Sequence, residues 1–160
     1  MRNRENMDRE EAAKIRFRRM EEEDLDQVAE LEGRIFSMPW SRKAFQDSIA
    51  LAHTLFVVAE REGRILGYCG CYQMLEEAEI TNVAVAEDFR GQGIGRRMLE
   101  ELMSLGQEQG AFAYTLEVRA GNEAAQRLYE SLGFESLGIR KNFYEKPAED
   151  AVIMWRPWKA

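Results

Sequence analysis

The spacing of apolar residues switches several times along this chain between a period of two, typical of strands, and a period of about 3.6, typical of helices. Residues 15–20 alternate apolar and basic side chains, which predicts a half-buried strand, and residues 25–35 carry apolar side chains at helical spacing. Pro39 and a predicted N-cap at Ser41 then indicate a turn that opens a second, shorter helix.

The middle of the chain predicts a hairpin, a further strand and a long helix. Segments 54–60 and 65–74 flank a polar turn and predict the hairpin, and 78–86 predicts the next strand. Over 93–109 the apolar residues recur on one helical face. The remaining elements are predicted as a strand, a helix and two strands, at 111–120, 123–132, 134–145 and 150–158.

The order of these elements, β-α-α-β-β-β-α-β-α-β-β, has no internal repeat and no linker, which indicates one mixed α/β domain. We assign this domain to residues 15–160. Residues 1–14 are nearly all charged or small, and we expect them to form a flexible N-terminal tail.

Composition and charge narrow the classes of function. With 45% hydrophobic and 32% charged residues, the chain is too apolar for a disordered protein and too interrupted by charge for a membrane protein. It has no apolar run near the roughly 20 residues of a membrane span and its start does not resemble a secretory signal, so we expect a cytoplasmic protein. A net charge of −7 argues against broad binding of nucleic-acid phosphates and favours a cationic partner.

The cysteines and the histidine exclude several kinds of catalytic site. Cys69 and Cys71 lie two residues apart in a predicted strand, which suits neither a structural disulfide nor a zinc site, so we interpret them as small buried side chains. His53, the single histidine, lies beside no serine or cysteine motif of a hydrolase. We therefore expect no metal site and a chemistry that uses carboxylates, tyrosines, main-chain amides or a borrowed cofactor.

A glycine-rich turn between a predicted strand and the long helix is the most informative segment. Gly91, Gly93 and Gly95 allow several main-chain N–H groups to point at one spot on the helix axis, where the helix dipole also favours an anion. Arg90 and Arg96 add positive charge, so a pyrophosphate is the natural ligand. The glycine pattern matches neither a dinucleotide-binding fingerprint nor a P-loop. A turn that binds nothing is the alternative.

The pattern R-x-x-G-x-G formed by Arg90, Gly93 and Gly95 resembles the acyl-CoA cradle of the GNAT N-acetyltransferases. The resemblance extends from about residue 15 to 156. It is also more specific than a likeness to the family in general. It points to the RimI-type members, which acetylate the N-terminal alanine of a small-subunit ribosomal protein. The segments similar to theirs are Pro-Trp-Ser at 39–41, Glu-Ala at 77–78, Asn-Val-Ala-Val at 82–85, Gln-Gly-Ile-Gly-Arg at 92–96, Leu-Glu-Val-Arg at 116–119, Leu-Tyr-Glu-Ser-Leu-Gly-Phe at 128–134, Arg-Lys-Asn-Phe-Tyr at 140–144 and Glu-Asp-Ala-Val-Ile-Met at 149–154.

The resemblance implies a central, mixed and mostly antiparallel sheet of about seven strands flanked by about four helices. It also implies acetyl-CoA as acyl donor. In such folds two central strands splay, and the main-chain amides released there hold the pantetheine and polarise the thioester carbonyl. The implied cofactor-binding residues are Val83, Ala84, Val85, Arg90, Gly91, Gln92, Gly93, Ile94, Gly95, Arg96 and Asn122. Asn122 is at the same time a candidate N-cap of its helix.

Acetyl transfer from a thioester to an amine needs a proton acceptor, a donor to the developing oxyanion and a proton for the departing thiolate. In the resemblance, Glu117 matches the proton acceptor and Tyr129 the proton donor. An α-amine has a pKa near ~8 and a lysine near ~10.4, so a carboxylate acting through water suffices for an N-terminal substrate. One alternative is a structural Glu117 paired with Arg119 or a helix end. Another is a Tyr129 that only contributes to an apolar stripe.

The acceptor side of the site rests on the resemblance alone. The residues that it implies there are Pro39, Trp40, Asn82, Phe143 and Tyr144. Aromatic side chains at such positions fill a core in the alternative interpretation. The acidic run Glu76, Glu77 and Glu79 either attracts a basic N-terminal peptide or is a solvated surface.

The sequence thus predicts an enzyme that uses acetyl-CoA to acetylate a protein N-terminus, the alanine of a basic ribosomal protein in the leading interpretation, with no direct contact to nucleic acid or membrane. One alternative keeps the cofactor and changes the acceptor to a lysine or a small-molecule amine. A second is a non-catalytic acyl-CoA-binding module in which Glu117 and Tyr129 are structural.

Overall fold

The computed structural model describes residues 3–7 and 14–157. Residues 1–2 and 8–13 of the predicted N-terminal tail, and residue 158 of the last predicted strand, lie outside the described residues. The strands of the described part are β1 Arg16–Arg19, β2 Thr54–Arg61, β3 Arg64–Met74, β4 Glu77–Val85, β5 Ala113–Arg119, β6 Glu135–Tyr144 and β7 Glu149–Arg156.

Four α-helices alternate with these strands, in addition to a helical stretch at residues 4–7 of the described chain. They are α1 Leu25–Ile35, α2 Arg42–Ile49, α3 Ile94–Glu108 and α4 Glu123–Ser131, and short 3-10 helices cover Glu22–Asp24 and Glu87–Phe89. The predicted element order is confirmed, and most predicted boundaries differ from the observed ones by one or two residues.

The strands form one sheet in the order β1-β2-β3-β4-β5-β7-β6. Every neighbouring pair is antiparallel except β4 and β5, which are parallel. This confirms the mixed, mostly antiparallel sheet that the resemblance implied. The parallel pair arises because α3 connects β4 to β5 as a crossover, which returns the chain to the same end of the sheet.

The pairing between β4 and β5 is short, and this opens the sheet at its centre. Their register covers Glu77–Glu79 of β4 against Ala113–Thr115 of β5 and ends there. Beyond that point β4 continues to pair with β3 as far as Val85, and β5 continues to pair with β7 as far as Arg119. A gap therefore separates the carboxyl-terminal halves of the two parallel strands.

A bulge in β4 accompanies the start of this gap. Opposite Gly70 and Cys71 of β3, β4 contributes Asn82 and Ile80, so Thr81 is an extra residue without a partner. A bulge increases the local bend and twist of its strand. The bend falls directly after the last residue that pairs with β5, which explains why the two strands separate at this point.

Two apolar cores lie on opposite faces of the sheet. On one face, α3 packs Met98 and Leu102 against the strands, and Tyr129 of α4 joins the same core. On the other face, α1 and α2 contribute Val28 and Phe45. Complete burial of an apolar side chain of this size stabilises the fold by roughly 1.5–3 kcal/mol.

The cysteines lie in the core beneath α3, as predicted. Both are buried and form no disulfide, and the thiol of Cys69 donates to the carbonyl of Met98 at 3.6 Å. Burial raises the pKa of Cys71 to about 12 and that of Cys69 well above its ordinary value. Both thiols therefore stay protonated and unreactive at neutral pH. His53 is exposed, in the turn before β2.

Candidate active site

The glycine-rich turn forms the amino terminus of α3. Gly93 is the N-cap residue and has φ +78°, and Gly91 has φ +76°, so both occupy the left-handed region that favours glycine. The first helical hydrogen bond runs from the N–H of Arg97 to the carbonyl of Gly93. The preceding amides of Ile94, Gly95 and Arg96 consequently have no acceptor within the helix. This is the arrangement expected of an anion site on a helix axis.

Close packing explains the third glycine of the turn. A Cβ atom at Gly95 would lie 3.3 Å from Leu128 Cδ2 and 3.7 Å from Val85 Cγ2. The first turn of α3 therefore lies against both the end of β4 and helix α4. The residues of this turn do not line the main cleft described below, and they lie where β4 ends and α3 begins.

The two arginines of the turn are fixed by neighbouring groups. Arg90 Nε donates to the carbonyl of Val85 at 3.1 Å. Arg96 forms an ion pair with Glu100 at 2.8 Å and donates to the hydroxyl of Ser131 at 2.8 Å. Both side chains are exposed, so their charge remains available beside the helix terminus.

The end of β4 presents main-chain amides to the gap. The N–H of Ala86 donates to the carbonyl of Leu66 in β3. Because N–H directions alternate along a strand, that of Ala84 also faces β3, and those of Val83 and Val85 face the other way, toward the gap. Of the three residues predicted to hold the cofactor here, two thus present an N–H to the gap, and the side chain of Ala84 lies in the core under α1 and α2.

A cleft of about 640 Å³ lies where the gap meets the α1–α2 turn and the β6–β7 turn. It brings together most of the side chains that the sequence analysis proposed for catalysis and acceptor binding. These are Trp40, Asn82, Glu117, Tyr129, Phe143 and Tyr144, and the proposed cofactor-binding residues Val83 and Asn122 line the cleft as well. Pro39 is exposed and does not line it.

Glu117 lies on β5 with 20% of its side chain exposed, and its Oε1 is 3.2 Å from Nη1 of Arg140. The alternative of a pair with Arg119 is wrong, because Arg119 binds Glu149 at 3.2 Å instead. Burial and the Glu117 carboxylate both raise the pKa of Tyr144. The charged and polar groups around Glu117 thus come mainly from the β6–β7 hairpin.

Tyr129 lies on α4 with 7% of its surface exposed, and its ring centroid is 5.8 Å from that of Phe134. Burial is the main cause that raises the pKa of its phenol, and the nearby Cys69 and Tyr144 add to the effect. The side chain is part of the core under α3 and also lines the cleft. The core interpretation and the proton-donor interpretation of this tyrosine are therefore compatible.

Asn122 caps α4, as predicted, since its Oδ1 accepts from the N–H of Ala125 at 3.1 Å. The residue lines the cleft as well, so one side chain occupies both positions that the sequence analysis considered. Ser41 caps α2 in the same way through the N–H of Ala44.

The aromatic residues on the acceptor side have two kinds of surroundings. Trp40 packs on Phe45 with ring centroids 5.2 Å apart, so it fills the core under α1 and α2 while lining the cleft. Phe143 and Tyr144 form an edge-to-face pair at 5.0 Å, and 40% of Phe143 is exposed. The alternative interpretation, that these aromatic side chains only fill a core, thus applies in part to Trp40 and does not apply to the exposed Phe143.

Arg119 holds the β6–β7 turn in place. Its guanidinium donates to Glu149 and to the carbonyl oxygens of Glu145 and Pro147, and it lies 4.4 Å from the ring centroid of Tyr144. These contacts fix one wall of the cleft from the strand that also carries Glu117.

Glu32 is a cleft residue that the sequence analysis did not identify as functional. It is 3% exposed, its Oε1 accepts from the hydroxyl of Tyr68 at 2.6 Å, and its Oε2 accepts from the N–H of Trp40 at 2.9 Å. The carboxylate therefore ties α1 to the α1–α2 turn and to β3. Its position on the apolar face of a predicted helix is the signal that could have identified it, because a buried carboxylate needs a partner.

The acidic run lies beside the cleft and does not line it. Glu76, Glu77 and Glu79 are exposed, at the end of β4 that pairs with β5. Their attraction of a basic peptide stays a prediction. In the described part of the chain no three His, Cys, Asp or Glu side chains group closely enough to hold a metal ion. None of its helices has the length and apolarity needed to cross a bilayer.

Comparison with known proteins identifies the family. Residues 25–134 match the model of the Acetyltransferase (GNAT) family. The ribosomal protein bS18-alanine N-acetyltransferase of Escherichia coli (strain K12) is 37% identical over 140 residues, which cover 86% of this chain and 94% of that protein. The N-alpha-acetyltransferase RimI of Mycobacterium tuberculosis is 37% identical over 139 residues, with 83% and 86% covered.

Solved structures agree with this assignment. The crystal structure of the ribosomal-protein-S18-alanine N-acetyltransferase from Escherichia coli has a TM-score of 0.84 at 35% identity and covers 92% of this chain and 96% of that one. Arabidopsis thaliana NAA60 in complex with acetyl-CoA shares the fold, with a TM-score of 0.80 at 18% identity over 89% of this chain and 97% of that one. The chain belongs to the GNAT family of acetyltransferases and is an acyltransferase.

Proposed function

We propose that this enzyme transfers the acetyl group of acetyl-CoA to the N-terminal α-amine of a protein, the alanine of a small-subunit ribosomal protein. The observation that carries the proposal is the cleft at the gap between β4 and β5, which gathers Glu117, Tyr129 and the amide-bearing end of β4. The names of the relatives from Escherichia coli and Mycobacterium tuberculosis support the N-terminal acceptor. A ribosomal substrate implies a cytoplasmic location.

The residues present fit acetyl-CoA. Its pyrophosphate suits the amides of Ile94, Gly95 and Arg96 with the charge of Arg90 beside them. The gap is open along β4, so the N–H groups of Val83 and Val85 can hold the pantetheine arm and donate to the thioester carbonyl.

We assign the proton transfers to Glu117 and Tyr129. The amine nitrogen forms a bond to the acetyl carbon, the carbon–sulfur bond breaks, and the amine proton passes to the carboxylate of Glu117, directly or through water. Tyr129 donates its phenolic proton toward the departing sulfur. A phenol is protonated at working pH at its ordinary pKa of about 10, and burial raises the pKa of Tyr129 further, so its proton moves only as negative charge develops on the sulfur.

The acceptor wall suits a peptide better than a small amine. Trp40 lines the cleft from the α1–α2 turn, and Phe143 and Tyr144 line it from the end of β6, which offers contact along an extended chain. A protein with net charge −7 also attracts a basic N-terminal segment. An α-amine near pKa ~8 supplies more neutral nucleophile at pH 7 than a lysine near ~10.4.

The test is mass spectrometry of acetylated products. The purified protein receives acetyl-CoA with an Ala-starting basic peptide, the same peptide with a blocked N-terminus and an internal lysine, or a polyamine. We expect product on the first peptide alone. Product on the blocked peptide or the polyamine instead would reassign the acceptor, and binding of acetyl-CoA without any product would favour the non-catalytic module.

A further inference from the structure

Arg140 contacts the carboxylate that we propose as the catalytic base, although it lies two strands away. Glu117 is on β5 and Arg140 on β6, with β7 between them. In the register of the sheet, Ala151 of β7 pairs with Arg140 on one side and with Arg119 on the other. Because Ala151 is fully buried and carries only a methyl group, the long side chain of Arg140 can cross β7 and reach Glu117 Oε1 at 3.2 Å.

The backbone of β6 changes register immediately after Arg140. Arg140 pairs with Ala151, and the next paired residue is Tyr144 with Glu149, so four residues of β6 span two of β7. Asn142 lies in this irregular stretch with φ +53°. The stretch brings Phe143 to the Arg140 guanidinium, which lies 5.4 Å from its ring centroid. Arg140 is therefore held between the proposed base and an aromatic of the acceptor wall.

Arg119 cannot replace Arg140 at Glu117. Although it is on the same strand as Glu117, its guanidinium is engaged by Glu149 and by two carbonyl oxygens of the β6–β7 turn. Among the ion pairs of the described residues, the cation that Glu117 contacts is Arg140.

We propose that Arg140 is a positioning residue that orients the Glu117 carboxylate toward the acceptor amine and couples that orientation to Phe143. This inference rests on the proposed function. Two effects follow from the geometry. Arg140 fixes the rotamer of Glu117 before the peptide binds, and a peptide that packs on Phe143 also restrains the Arg140 guanidinium that contacts Glu117.

The experiment compares Arg140→Gln and Arg140→Lys in steady-state acetylation of the Ala-starting peptide. We expect Arg140→Gln to lower kcat about tenfold or more with the KM for acetyl-CoA unchanged, because the base is displaced and the cofactor site is not touched. Arg140→Lys should recover most of the loss. The closest approach of the pair is 3.2 Å between one guanidinium nitrogen and one carboxylate oxygen, and a lysine ammonium keeps the positive charge that faces Glu117.

Arg127→Gln is the matched control. Arg127 is also an exposed arginine paired with a glutamate, Glu123, at 3.9 Å, but it lies on α4 outside the cleft. We expect wild-type kinetics from it. The inference is overturned if Arg140→Gln keeps kcat within twofold of wild type, if Arg140→Lys is as slow as Arg140→Gln, or if the loss comes with a lower Tm and a raised KM for acetyl-CoA. A wild-type protein that acetylates no N-terminus contradicts the proposed function itself, and the inference with it.

Discussion

The proposed active site has two halves, which are built from different kinds of chemical group. The cofactor half, which we propose binds acetyl-CoA, consists of main-chain groups: the amides at the start of α3, outside the cleft, and the N–H groups of Val83 and Val85 along the open edge of β4. The acceptor half consists of side chains that hold one another. Glu32 binds Tyr68 and the amide of Trp40, and the arginines of β5 and β6 hold Glu149 and Glu117.

This difference decides what each half tolerates. Most side-chain substitutions leave the position of main-chain amides unchanged. A substitution that changes the backbone conformation displaces them, above all one that adds a Cβ atom to a glycine with positive φ. Side-chain pairs are disturbed by removal of one partner, because the other is then left buried or misdirected. Substitutions of each kind should therefore affect one half and spare the other.

The largest effect is expected from Glu117→Gln, which keeps the shape of the acceptor half and removes its proposed proton acceptor. Loss of a general base lowers the rate by about 10²- to 10⁴-fold. The glutamine oxygen can still accept from Arg140, and the cofactor half is unchanged, so calorimetry should find wild-type affinity for acetyl-CoA. Glu123→Gln, a change to an exposed glutamate of α4, is the control.

Retention of turnover within tenfold of wild type by Glu117→Gln would show that another group accepts the proton. Loss of acetyl-CoA affinity would show that the two halves are not separable at this residue.

The next effect is that of Tyr129→Phe, at the boundary of the two halves. We expect kcat to fall about 100-fold, at the low end of the range for a general acid, because the departing thiolate loses its proposed donor. A phenol is protonated below its ordinary pKa of about 10, and burial raises the pKa of Tyr129 further. In the pH profile of kcat, the wild-type enzyme should therefore show no decrease below pH 10 that is caused by ionisation of Tyr129. An alkaline limb near pH 8 that Tyr129→Phe removes would contradict this assignment.

The contrast between the cofactor half and the acceptor half also explains how much of each could be predicted from the sequence. The main-chain groups of the cofactor half lie in one contiguous stretch from Val83 to Arg96, where glycine spacing and the change of period are local signals. The element order followed from periodicity for the same reason. The bulge at Thr81 and the early end of the β4–β5 pairing leave no mark in the residue types, since register depends on the whole sheet.

The acceptor half was predicted less completely because its contacts join distant residues. The pair of Glu117 with Arg140 spans 23 positions and crosses a strand that neither belongs to, and the partners that the sequence analysis considered for Glu117 were Arg119, two residues away, or a helix end. The bond between Glu32 and Tyr68 spans 36 positions. The resemblance to the family supplied Trp40, Phe143 and Tyr144, but not the groups that hold them.

A third substitution, with a smaller expected effect, tests the cofactor half directly. Gly93→Ala places a Cβ on a residue at φ +78°, where about 1–2 kcal/mol of strain is expected, although no neighbouring atom lies within 4 Å. The turn should relax toward another conformation and lower the affinity for acetyl-CoA about tenfold, with the peptide KM unchanged. Gly33→Ala is the matched control: this glycine lies in α1 with open space around it, so alanine should stabilise the helix by about 0.5–1 kcal/mol and leave binding unchanged. Wild-type affinity in Gly93→Ala would mean that the amides do not bind the pyrophosphate.

The smallest effect is expected where the acceptor half is supported from within the core. Tyr68→Phe removes the hydroxyl that donates to Glu32 at 2.6 Å, and it leaves a buried carboxylate with one donor fewer. We expect a loss of about 1–3 kcal/mol in the free energy of unfolding and a rise of a few fold in the peptide KM, because Glu32 also fixes the amide of Trp40. Burial and the Glu32 carboxylate raise the pKa of Tyr68, so the bond persists across working pH.

Tyr114→Phe separates the local effect of Tyr68→Phe from general destabilisation. Tyr114 is equally buried, and its hydroxyl donates to the carbonyl oxygens of Met103 and Ala111, under α3 and away from the acceptor wall. Both variants should lower Tm by similar amounts in thermal unfolding, and the peptide KM should rise in Tyr68→Phe alone. An equal rise of the peptide KM in both variants would mean that loss of stability, rather than loss of the Glu32 contact, loosens the α1–α2 turn. The geometry of the acceptor half would then depend on the stability of the whole core and not on its own side-chain pairs.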